Sequence, residues 1–162
     1  MIGLLQRAAQ ARVEVDGAVV GEIGRGLMVL VCAERDDTPA QARALLSRLL
    51  AFRVFPDERG RMNRSLVELA AGAGDAGLLL VPQFTLAADT RSGTRPSFTP
   101  AAAPALAREL FDGLVGMARE AFPRVATGEF GADMQVHLVN DGPVTFWLHA
   151  PPPGPAPRGV SP

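Results

Sequence analysis

The sequence contains no lysine, a single cysteine and two histidines. Each scarcity removes a class of chemistry. Cys32 has no second cysteine with which to form an internal disulfide. Inside the apolar run 27–32 it reads as a small buried residue rather than a reactive thiol. His137 and His149 stand at no metal-ligand spacing with each other or with Cys32, so no metal is expected. Without lysine there is no Gly-x-x-x-x-Gly-Lys phosphate loop. No Rossmann fingerprint follows a strand, and no Gly-x-Ser-x-Gly elbow marks a serine hydrolase. No apolar run approaches the roughly 20 residues of a membrane-spanning helix. The N-terminus lacks the charged-then-apolar pattern of a secretory signal. A cytoplasmic protein that needs neither membrane nor cofactor is the expectation.

All 16 basic residues are arginine, against 17 acidic ones, for a net charge of −1. A compositional bias of the source genome is the simple account of arginine in place of lysine. No global field draws in nucleic acid, and DNA binding is not expected. An RNA contact would be a small local patch with shallow salt dependence, since few phosphates are neutralised. Arginine suits such a patch, because its planar fork holds phosphate bidentately.

What remains is ample for one domain: 162 residues, 48% of them hydrophobic. Residues 2–7 read as a first strand. Residues 11–15 alternate, Asp16-Gly17 offers a two-residue hairpin turn, and residues 18–20 return. After a turn at Gly24-Arg25-Gly26, the run 27–32 is too continuously apolar for a half-exposed strand and should be central. Thr38-Pro39-Ala40-Gln41 is a helix start with a capping box and proline at the first position. That helix should reach about Ala51, with Leu45, Leu46, Leu49 and Leu50 on its apolar face. Residues 52–55 look extended and 57–60 form a turn. Glu68 fits a strand or a helix equally well. Residues 70–77 read as a small-residue loop. Pro104 or a neighbour starts a second helix, ended by Pro123. Residues 125–130, 134–139 and 144–149 read as strands. The count of about eight strands and two helices gives a mixed α/β, β-rich single domain over residues 1–149. Residues 150–162 form a proline-rich tail that should be disordered.

Two stretches carry the candidate chemistry. In Leu78-Leu79-Leu80-Val81-Pro82-Gln83-Phe84-Thr85 a buried strand stops at a proline, which cannot donate to a ladder. An amide, a ring and a hydroxyl follow at once. Read from the residues alone, this is a strand end with a glutamine cap. The second stretch, Asn140-Asp141-Gly142-Pro143-Val144-Thr145-Phe146-Trp147, reads alone as a hairpin turn with a trans proline, since about 5–6% of such bonds are cis.

Pro82-Gln83-Phe84-Thr85-Leu86-Ala87-Ala88-Asp89-Thr90, the following Gly93-Thr94-Arg95-Pro96-Ser97-Phe98, and the 140–147 stretch together resemble the signatures of the D-aminoacyl-tRNA deacylases. Residues 1–8 and 130–136 match as well, so the likeness spans roughly 1–149. The resemblance implies two stacked sheets with two main helices packed on one side, in a homodimer. It implies hydrolysis of the ester of D-aminoacyl-tRNA, with glycine also removed, and recognition centred on the acceptor end. Gln83, Phe84 and Thr85 would be the catalytic stretch. An aminoacyl ester is already activated, so positioning and backbone N–H groups on the oxyanion are enough. Gln83 would hold the ribose or the terminal adenine. In the family a Gly-cis-Pro pair, here Gly142 and Pro143, enters the partner subunit's pocket and rejects L-amino acids. Asn140 and Thr145 would support the substrate side. Arg91 and Arg95 would grip phosphates of the terminal CCA, with a solvated loop as the equal alternative. Phe98 and Trp147 could stack on a base, though core packing is the better reading for both. One departure stands out. Most members have Ser where this chain has Pro82. A paralogue with relaxed chirality shares that proline but has Ala at the position of Phe84. Three other readings stay open: a Thr85-nucleophile hydrolase of small esters without RNA, a noncatalytic RNA-end binder, and an editor of L-amino acids.

Overall fold

The computed structural model of the chain describes residues 1–152. Strand β1 (Ile2–Val15) is its axis. One edge of β1 carries β8 (Gln135–His149) along almost its whole length. The other edge carries β3 (Gly26–Cys32) beside residues 2–8, then β2 (Ala18–Ile23) beside residues 11–15. Parallel to β3 lies β6 (Gly77–Pro82), and beyond it β7 (Val125–Thr127). Asp16 and Gly17 both take positive φ, 51° and 78°, which is the hairpin turn expected of Asp-Gly.

The two layers are therefore one six-stranded sheet folded on itself. Its central strands bury both faces, which is why they are apolar without interruption. Leu27, Val29, Val31, Leu78 and Leu80 face one core; Met28, Leu79 and Val81 face a second. The first core is closed by helices α1 (Pro39–Ala51) and α3 (Pro104–Ala121). The second is closed by the sheet itself, through Ala11 and Val13 of β1 with Ile23 of β2 and Leu138 of β8. The fold-back needs close backbone contact. At Gly21 a side chain would put its first carbon 2.3 Å from the Thr127 carbonyl oxygen.

Thr38 and Gln41 form the expected capping box on α1. A small ribbon, β4 (Phe55–Pro56) and β5 (Met62–Arg64), follows. The stretch 70–77 departs from its expectation as a loop. Helix α2 (Leu66–Ala73) takes its first part, ended by Gly74 at φ 74°. The physical reason is a second capping box: the Ser65 hydroxyl accepts from Glu68 N–H, and the Glu68 carboxylate accepts from Ser65 N–H. Two other strand expectations change. Segment 125–130 is extended only to Thr127, and 134–139 and 144–149 are one strand, β8. At the far end Ala150 is still buried and donates to the Met1 carbonyl. The expected proline-rich tail lies, from residue 153 on, outside the described residues.

Candidate active site

Strand β6 ends against β3, where Gln83 N–H donates to the Val31 carbonyl at 2.7 Å. Pro82 has no N–H to extend the ladder, and the chain turns into a single 3-10 turn, Phe84–Ala87. Leu86 N–H closes that turn on Gln83, and Ala88 N–H on Thr85. The amides of Phe84 and Thr85 precede this pattern and have no protein acceptor among the described residues. Leading N–H groups of a helical turn are left over in this way. The Gln83 side-chain amide donates to the Thr85 hydroxyl. A cleft of about 360 Å³ opens beside them, lined by Pro82, Gln83 and Phe84 on one side and Phe130, Gly131 and Met134 on the other.

Cys32 lies beneath this turn, and its thiol donates to the Phe84 carbonyl at 3.4 Å. Burial pushes that thiol up to about 11, so it is protonated and props the turn rather than attacking substrate. Both histidines are elsewhere: His149 bonds Glu34, and His137 faces Glu14. Thr85 therefore has no general base beside it among the described residues. These residues also contain no cluster of three metal-ligating side chains.

Phe98 and Trp147 break with the core reading. They are 39% and 53% exposed. The ring of Phe98 meets that of Phe84 edge-on at 5.0 Å, and Phe84 is itself 55% exposed. Arg91 is already engaged: two of its guanidinium nitrogens and its own N–H bond the Asp89 carboxylate. That pairing drives the Asp89 pKa down to about 2. Arg95, in the same loop, has no such partner among the described residues.

The second motif is not a hairpin turn. Gln6 pairs with Thr145 and Ala8 with Asn140, so four residues of β8, 141–144, stand opposite Arg7 alone. They leave the ladder as an excursion tipped by Gly142 and Pro143, joined by a cis bond. Asn140 closes its neck. The Asn140 side-chain carbonyl accepts from Val144 N–H at 3.1 Å, and its amide donates to the Thr145 hydroxyl at 2.9 Å. Gln6 reaches the same hydroxyl at 3.4 Å. Arg7 donates to the Asp141 carbonyl at 3.1 Å and to the Val54 carbonyl at 2.6 Å, and pairs with the Asp141 carboxylate. Gly142 has φ 133°, and a β-carbon there would sit 2.7 Å from Val144 Cγ2. Gln6, Arg7 and Cys32 were not singled out as site residues by sequence. Their partners are far away in the chain, so no local pattern reveals them.

One chain does not bring the two motifs together. Residues 83–85 follow β6, and Gly142 follows Asn140 on β8, with β3 and β1 between. Three strand spacings are about 14 Å. Along the strands, Pro82 pairs with Val31 and so lies level with Gly3, which puts Gln83 level with Ile2 and the excursion level with Arg7, about 16 Å further at 3.3 Å per residue.

The chain matches known proteins over nearly its whole length. The family model of the D-Tyr-tRNA(Tyr) deacylases covers residues 4–149. The D-aminoacyl-tRNA deacylase of Herminiimonas arsenicoxydans is 64% identical over 152 residues, covering 94% of this chain and 99% of that protein. The one from Cupriavidus metallidurans is 63% identical, covering 94% and 97%. A solved structure described as the c-Myc DNA unwinding element binding protein superposes with TM-score 0.86 at 33% identity, over 94% of this chain and all of that one. A probable eukaryotic D-amino acid tRNA deacylase shares the fold, with TM-score 0.74 at 22% identity over 91% and 97%. This chain belongs to the D-Tyr-tRNA(Tyr) deacylase family.

Proposed function

We infer that this member of the deacylase family is a hydrolase that cleaves the ester of D-aminoacyl-tRNA, releasing the D-amino acid and free tRNA. The observation that carries the reading is a pair of amides without a protein acceptor among the described residues, Phe84 N–H and Thr85 N–H, at a strand end where Phe84 lines a cleft. Donors fixed before the reaction suit an oxyanion better than water does. The ester supplies the reactivity, and the site supplies placement. Gln83 lines the cleft, and Thr85, outside that lining, is bonded to it: the Thr85 oxygen accepts from Gln83, which leaves its proton to donate to substrate or water. A threonine nucleophile is the weaker reading, because no base adjoins Thr85 among the described residues.

Chiral selection falls to Gly142 and Pro143. Their backbone forms a wall without a side chain at Gly142, and an L-amino acid would drive its side chain into it. A D-amino acid turns its side chain away, and glycine has none to exclude. The separation of the two motifs within one chain supports a homodimer, in which the excursion of one subunit completes the cleft of the other. Asn140 and Thr145 position that excursion. Arg95 is the freer candidate for a phosphate of the terminal CCA; Arg91 would first have to leave Asp89.

The test is parallel deacylation of one tRNA carrying D-Tyr, L-Tyr or Gly. Loss of D-Tyr and Gly with L-Tyr intact is the expected result. Loss of L-Tyr as well would keep the esterase and sink the backbone filter. No loss of any, with the charged tRNA still bound, would leave a noncatalytic RNA-end binder.

A further inference from the structure

We propose that the ribbon formed by β4 and β5 is a phosphate-gripping arm that holds the acceptor strand of the RNA as it leaves the site, with Arg59 and Arg61 as its contacts. The inference rests on the reading of the chain as an aminoacyl-tRNA hydrolase.

The ribbon is anchored to the second motif. The Arg7 guanidinium that holds the Asp141 carbonyl also holds the carbonyl of Val54, the residue before β4. Phe52 meets Phe146 of β8 edge-on at 5.2 Å. The ribbon thus starts beside the Gly142 excursion. The extended part, from Val54 to the turn at Asp57, is three residues, about 10 Å, or about three nucleotides of stacked strand at about 3.4 Å each.

Four arginines occupy its short span: Arg53, Arg59, Arg61 and Arg64. Their acidic neighbours are committed in ways that leave two of them free. Glu58 pairs with Arg64 at 3.3 Å. Glu68 caps α2 and stands 4.0 Å from Arg53. Asp57 turns its carboxylate inward, accepting from the N–H groups of Arg59 and Arg61. Those bonds fix the turn, while the guanidinium groups of Arg59 and Arg61 have no partner among the described residues, and both residues are exposed. A chain of net charge −1 thus carries a stiff, locally basic finger next to its substrate-facing loop. Paired free forks are what phosphate recognition asks of arginine.

The experiment compares wild type with R59Q/R61Q, with R59K/R61K, and with R43Q/R119Q as a charge-matched control elsewhere. One readout is the affinity for an uncharged acceptor-stem minihelix ending in CCA, taken from 50 to 200 mM salt. The other is hydrolysis of D-Tyr-tRNA and of D-tyrosyl-adenosine, which has no phosphate. Removing two contacts should flatten the slope of log K against log salt by about 1.4, at about 0.7 per single-strand phosphate. The KM for D-Tyr-tRNA should rise about tenfold at low salt while that for D-tyrosyl-adenosine stays unchanged, because the lost contacts are electrostatic and remote from the ester. The lysine pair should keep most of the slope and the control should keep all of it. An unchanged slope in R59Q/R61Q overturns the arm, and so does an equal loss in the control. If wild type hydrolysed neither substrate, the enzymatic reading would fall, and the minihelix slopes would still decide the arm.

Discussion

At the scale of single residues, the proposed site would work through atoms that side-chain reasoning overlooks. The two free amides at Phe84 and Thr85 belong to the backbone, and Gly142 matters for what it lacks. Replacing Gly142 with alanine places a β-carbon against Val144 at φ 133°, where L-residues are strained. The tip must move, and a shift of about 1 Å costs on the order of 100-fold in turnover. Gly142→Ala should therefore lose about 100-fold in kcat/KM on D-Tyr-tRNA, while strain of about 1–3 kcal/mol lowers the melting temperature by only a few degrees. A variant of full activity would remove the close-approach argument. Thr85→Val should lower kcat about tenfold, about 1.4 kcal/mol, measured in single turnover; no loss would leave the amides to act alone. Cys32 gives a stability prediction with a defined sign. Its unfolded pKa is near 9.0 and its folded value about 11. The folded state keeps the proton longer, so its contribution is full below pH 9 and lost as pH rises from 9 towards 11. With no lysine and no tyrosine, no other side chain ordinarily titrates in that window. Urea midpoints should fall more between pH 8.5 and 10.5 for wild type than for Cys32→Ala.

At the scale of elements, local chemistry in the sequence located most boundaries. Thr38-Pro39-Ala40-Gln41 announced α1, and Asp16-Gly17 announced the first hairpin. Pro104 and Pro123 framed α3. Where the signal was present but unread, as in Ser65 and Glu68, the small residues after it looked like a loop and hid α2. That box is testable: Ser65→Ala should cost about 1 kcal/mol of stability, read from urea unfolding, while Ser65→Thr should keep most of it. The junction at residues 140–144 could not be read from residues alone. A turn and an excursion share the same glycine and proline, and only the register of β8 on β1 tells them apart. That register is set by Gln6, Arg7 and Ala8, more than 130 positions away. The free amides at Phe84 and Thr85 were legible in part, because Pro82 had to end the strand. The surface placement of Phe98 and Trp147 was not, since aromatic residues are ordinarily drawn to cores.

At the scale of the whole molecule, one sheet does two jobs. Its folding onto itself makes a second core without further helices. Its strand order also keeps the two motifs three strand spacings and several residues apart. A shared site between subunits has a clean genetic test. Gly142→Ala and Thr85→Val subunits, each impaired alone, are mixed and allowed to exchange. A heterodimer then contains one cleft with wild-type Thr85 and the wild-type Gly142 of its neighbour. Activity should rise on mixing to about half of wild type per mixed dimer, as the one-intact-site arithmetic of a two-fold assembly requires. A flat result would place both motifs in one subunit's cleft or leave the site undivided.

The excursion of β8 has a consequence for how such a protein changes over generations. The strand pairs with β1 on both sides of residues 141–144, so the ladder is sealed whatever those residues do. Asn140 and Thr145 close the neck with their own side chains. Val144 still packs against the main core, so the positions insulated from most of the packing that keeps the chain folded are Gly142 and Pro143. Stability thresholds that ordinarily purge variants weigh lightly there. With the tip as the chiral filter proposed above, substrate preference could drift, narrow or be lost there while the scaffold stays intact.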